Sequence, residues 1–68
     1  MFKAKIEKIN KNNTFYISIP ALEFREVLAY SLTKKGSVPD YAVGDLVLVG
    51  NINDGSWVIL GYILGQTN

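Results

Sequence analysis

Residues 41–64 read YAVGDLVLVGNINDGSWVILGYIL. Val43-Gly44-Asp45 has the form of a tight turn, because glycine supplies the positive φ that a type II turn needs at its third position. Leu46-Val47-Leu48-Val49 is then continuously apolar, as a strand covered on both faces is. Asn53-Asp54-Gly55 is a hairpin signal. Trp57-Val58-Ile59-Leu60 opens a closing strand, expected to run over residues 57–64. Gly61 inside it predicts a bulge, a barrel corner or a close backbone approach. The segment is therefore an antiparallel strand pair with glycines at its joints.

The same logic extends backwards. Phe2, Ala4 and Ile6 alternate with Lys3, Lys5 and Glu7, the period-two pattern of a half-buried strand. At Lys8-Ile9 the phase shifts, which predicts a bulge or the strand end. Lys11-Asn12-Asn13 is a turn, since asparagine tolerates positive φ. Phe15, Ile17 and Ile19 then alternate with Tyr16 and Ser18. A hairpin is expected, with Pro20 ending its ladder for want of an amide donor.

Residues 21–32 read two ways. Leu22, Arg25-Glu26 and Ala29 fit one side of a short helix. Val27 to Leu32 fit a strand with Leu28, Tyr30 and Leu32 on one face, and the strand reading is favoured. Residues 34–40 form a loop punctuated by Gly36 and Pro39. The sum is five short strands in one domain, residues 1–68: all-β, and by size a small closed barrel, since closure removes exposed edges. A five-stranded OB-like barrel (OB-fold, for oligonucleotide/oligosaccharide binding) is the first expectation. Another small five-stranded barrel is the second.

Size and composition narrow the chemistry. A 68-residue chain buries only roughly 60% of its unfolded surface. Small domains lean on disulfides, metals or partners. With neither cysteine nor histidine, disulfides are excluded and zinc nearly so. The usual catalytic base and thiol nucleophile are missing too. Asp45 and Asp54 sit at turns, where aspartate is favoured for backbone reasons. Gly61-Tyr62-Ile63-Leu64-Gly65 lacks the lysine-serine/threonine ending of a phosphate loop. No enzyme activity, metal or cofactor is expected. The first residues alternate charged and apolar, so no leader peptide is expected, and no apolar run reaches the roughly 20 residues of a membrane span.

The net charge is +1. Residues 1–35 hold seven basic groups against three acidic ones, a net of +4, and residues 36–68 hold three aspartates and no base. Such a division fits solvated faces of a barrel. It also fits a polarised molecule that stacks head to tail or docks a charged partner.

Four residues are candidate contacts with another subunit or partner: Trp57, Ile59, Tyr62 and Tyr41. Tryptophan is enriched at interface hot spots, and a barrel this small covers only one side of its closing strand with its own core. The plainer reading makes Trp57 a cap on the barrel end. Lys11, Tyr16, Tyr30, Lys34 and Lys35 are the candidate nucleic-acid surface, because OB-folds stack bases on aromatics beside basic grooves. Phe15 and Tyr16 point to opposite faces, so they do not share a groove. The modest net charge argues against that partner.

The ordered series Ala4-x-Ile6-x-x-Ile9, Tyr16-x-Ser18-Ile19-Pro20-Ala21-Leu22, Val43-Gly44-Asp45-x-Val47-Leu48-Val49 and Val58-Ile59-Leu60-Gly61 resembles the OB-fold domain of phage baseplate assembly protein V and of the related VgrG spikes of type VI secretion. The likeness covers most of the chain and assigns Val43, Gly44, Asp45 and Gly61 to turn and closure. It departs where Ser56-Trp57 replaces the family's arginine-proline. The chain also ends at Asn68, where spike members continue into a β-helical needle. The resemblance implies a stand-alone barrel: a virion structural protein of a contractile-type tail, trimeric about the tail axis, acting as adaptor or spike base at the baseplate hub. Its implied partners are other hub or spike proteins. Its implied locations are the virion tail and, during assembly, the host cytoplasm.

Overall fold

β1 (Phe2–Ile9) is the strand on which the rest is assembled. Its alternating residues turn Ala4 and Ile6 inward, where both are buried, and leave Lys3 and Lys5 outside. The computed structural model describes residues 1–65. It adds β2 (Phe15–Ile19), a 3-10 turn (Pro20–Leu22), β3 (Phe24–Ser31), β4 (Leu46–Asn51) and β5 (Trp57–Tyr62). The strands close into a barrel in the order β1-β2-β3-β5-β4, with β4 returning to β1. Every neighbouring pair is antiparallel except β3–β5, which is parallel. The fold is a small five-stranded OB-like barrel.

The β1–β2 hairpin forms as its alternation requires. Its turn uses Asn13 at φ 62. The phase shift in β1 is a bulge: Ile6 pairs with Ile17 and Lys8 with Tyr16, leaving Glu7 as the extra residue. Glu7 accepts a hydrogen bond from the Ser18 hydroxyl at 2.7 Å. Pro20 ends β2 and starts the 3-10 turn, which closes at Glu23 in the left-handed region.

Residues 21–32 resolve into both a turn and a strand. The strand starts earlier than Val27, at Phe24, because Ile19 pairs with Phe24 across a second bulge. β5 ends at Tyr62 rather than reaching Leu64.

The core consists of Ala4, Ile6, Phe15, Ile17, Ile19, Ala29, Val47, Val49 and Ile59. Each large member contributes about 1.5–3 kcal/mol by leaving water. Much of this is offset by the entropy of ordering the chain.

Candidate functional site

Among the described residues there is no cavity or cleft of ligand size, and no cluster of three or more potential metal-ligating side chains. The strand register says which residues lie on the outer surface.

Tyr30 pairs with Val58, and Val58 pairs with Gly50. These three form a row across β3, β5 and β4, one step out of phase with the buried Ala29, Ile59 and Val49. Val58 is buried but stands apart from the core cluster. Two residues before Tyr30, Leu28 continues the outer face beside Tyr16. On the other side, Leu48 pairs with Gly61 and with Lys3.

A bulge at Leu60 lies between these rows. Val49 pairs with Ile59 and Leu48 with Gly61, so Leu60 has no partner. It folds across β4. Its Cδ1 would lie 3.4 Å from a Cβ placed on Gly50, and Met1 Cγ would lie 3.9 Å away. Gly50 thus leaves the space that Leu60 fills. The result is an outer wall of Leu28, Tyr30, Val58, Leu60 and Leu48 that carries no charge on β5 or β4. Its four uncovered members remain 36–48% exposed, more than scattered single apolar residues would need.

The expected contact residues separate. Ile59 is 0% exposed. It faces the barrel interior and offers nothing to a partner; the continuous apolar run hides that its neighbour Leu60 is the outward residue. Trp57 is half-buried against the core. Its ring meets Phe2 edge-on at 6.0 Å and Phe24 at 6.3 Å. These are the contacts of an end cap. Tyr41 packs edge-on to Phe15 at 5.6 Å and ties the long β3–β4 loop to the core. Tyr62 alone is open, at 48%.

The closure residues do what their types require. Asp45 N–H donates to Ala42 O at 3.1 Å, and Gly44 takes φ +95 at the third position, as a type II turn demands. The Asp45 carboxylate accepts from Ala42 N–H at 2.8 Å. Gly44 N–H donates to Ile6 O, and Ile6 N–H donates to Asp45 O. The turn is thereby stitched to β1 next to its bulge. Val43 is 62% exposed at the turn's second position. At Gly61 an added Cβ would meet no atom within 4 Å, and its φ is not positive; the bulge belongs to its neighbour Leu60.

In the β4–β5 hairpin Gly55 takes φ 88 and donates to Ile52 O. The Asp54 carboxylate accepts from Ser56 N–H at 2.9 Å, and that bond holds Asp54 below the usual carboxylate range.

The nucleic-acid candidates also separate. Tyr16 and Tyr30 both lie on the outer face, on adjacent strands. Phe15 is in the core. Lys8, absent from the expected set, pairs with Tyr16 and holds its Nζ 6.0 Å from the ring centre. Its place after the phase shift is the available signal. Lys11 lies in the β1–β2 turn, and Lys34 and Lys35 in the β3–β4 loop, all exposed.

The charge division along the chain is crossed at one seam of the barrel. β1, which carries Lys3, Lys5 and Lys8, lies beside β4, and Asp45 is bonded to Ile6 at that seam. Two of the three later aspartates are engaged in their own turns.

No protein-family model, curated protein or solved structure matches the chain.

Proposed function

We propose that this protein is a structural building block of a contractile-type phage or prophage tail. In this reading it is an OB-fold barrel that oligomerises at the baseplate hub and serves as adaptor or spike base, with other hub or spike proteins as neighbours. It works in the virion tail, after assembly in the host cytoplasm. The observation that carries the reading is the apolar outer wall of Leu28, Tyr30, Leu60 and Leu48 on β3, β5 and β4. A barrel of this size gains stability by covering such a wall with another subunit. The residues that carry the resemblance fall at the end of β2 (Ile19-Pro20), in the turn into β4 (Val43-Gly44-Asp45) and within β5 (Val58-Ile59-Leu60-Gly61). Sedimentation across a concentration series tests it. An oligomer is expected; a monodisperse monomer at tens of micromolar would remove the oligomeric reading.

One observation favours a second reading, a single-stranded nucleic-acid-binding barrel. Lys8, Tyr16 and Leu28 form one outer row across β1, β2 and β3, with Tyr30 next along β3. Aromatics beside lysines suit base stacking with phosphate contact. Salt-sensitive binding of a labelled single strand, lost in Tyr16→Ala, is the expected result for that reading; no binding at low salt would end it.

A further inference from the structure

We infer that copies of this chain join head to tail: the tip of the β3–β4 loop of one copy, residues 37–43, packs on the outer wall of β3, β5 and β4 of the next. The inference rests on the oligomeric reading above and adds which surfaces meet.

Among the described residues, two of the exposed apolar surfaces on each copy differ in kind. The first is the wall of Leu28, Tyr30, Leu60 and Leu48. Its flanks are mostly basic. Lys3 pairs with Leu48 on one side, and Lys8 shares the Tyr16–Leu28 row on the other. Glu26, two residues before Leu28, is the acidic exception on β3. The second surface is the loop tip. Val38 is 73% exposed and Val43 62%, and Asp40 is the single charge of residues 37–43.

The tip is held in place rather than free to fold back on its own barrel. Ser37 N–H donates to Lys34 O across a turn with Gly36 at φ 88. Tyr41 is anchored on Phe15. The turn at Gly44 is bonded to β1. A surface fixed at three points binds without a large ordering cost.

Charge selects between arrangements. Wall against wall, about a two-fold axis, brings lysine flanks towards lysine flanks, and like charges across an interface disfavour that pairing. Tip against wall sets Asp40 among those lysines and Val38 and Val43 on the leucines. Such a contact uses a different patch on each partner, so it propagates and closes into a ring where the rotation allows.

The test uses two variants of the full chain, each first checked for a folded circular dichroism spectrum. Leu60→Glu spoils the wall, and Asp40→Lys spoils the tip. Each alone is expected to sediment at the monomer mass. An equimolar mixture is expected to form a species of twice the monomer mass and nothing larger, because one intact wall and one intact tip remain. Should Leu60→Glu not fold, Leu28→Glu takes its place. An Asp40→Lys variant that keeps the wild-type oligomer mass overturns the inference while leaving the oligomeric reading standing. A mixture that stays monomeric also overturns it. A wild-type protein that is itself monomeric overturns both.

Discussion

The β1–β2 side of the barrel and the β3–β5–β4 side enclose the same core but turn different surfaces outward. On β1 the residues between core positions are Lys3 and Lys5, and on β2 they are Tyr16 and Ser18. On β3, β5 and β4 they are Leu28, Tyr30, Val58, Leu60 and Leu48. The core needs only one face of each strand, so this outer apolar wall is an addition to the fold rather than a condition of it. One side is what a solvated barrel requires. The other is in excess, and the proposed function rests on that excess.

A pair of neighbours on β5 puts this contrast at greatest risk. Ile59→Ala removes a fully buried side chain and is expected to cost about 2–5 kcal/mol in urea unfolding, enough to unfold much of a marginal domain. Leu60→Ala, one residue on, is expected to cost less than about 1 kcal/mol in the monomer, as partly exposed sites do. Equal losses at the two positions would mean that Leu60 is a core residue and that the wall is misdrawn.

Trp57→Ala should fall between them. The ring closes the barrel end against Phe2 and Phe24 but is only half-buried, so a loss of about 2 kcal/mol is expected. If sedimentation changes and stability does not, Trp57 belongs with the wall and not with the end cap.

Gly44→Ala probes the polar side, where the turn is stitched to β1. Nothing lies within 4 Å of the added Cβ, but φ +95 is unfavourable for alanine. The expected cost is about 1 kcal/mol, seen as a lower urea midpoint. An unchanged midpoint would show that the stitch does not require glycine.

The smallest effect is at Asp54. Its carboxyl is depressed by the Ser56 N–H, so its contribution is present above the ordinary carboxylate pKa and lost as pH falls through the lower folded value. Wild type and Asp54→Ala should therefore differ at neutral pH and begin to converge as the pH falls below about 3.9. A gap that persists undiminished in stronger acid would assign the effect to turn geometry instead of charge.

How legible each side is follows from its chemistry. Alternation between charged and apolar residues marks both faces of β1, so Ala4 and Ile6 are readable as core. The turn glycines are readable too, because Gly44 and Gly55 take the positive φ that their positions imply. In Trp57-Val58-Ile59-Leu60 every residue is apolar, and period two leaves no mark. The sequence reading puts Ile59 at a contact surface, whereas it lies in the core and Leu60 is the outward residue.

Local alternation and backbone preference act within a few residues. They are enough to specify the strands of the two hairpins, the turns between them and, with chain length, a small closed barrel. Three other features arise only when the chain closes on itself. The parallel β3–β5 pairing joins residues far apart in the chain. The bulge at Leu60 turns the closing strand over Gly50. The seam of β1 with β4 brings Asp45, just ahead of β4, against the lysine-bearing first strand. Each depends on which strands become neighbours, and no local pattern encodes that.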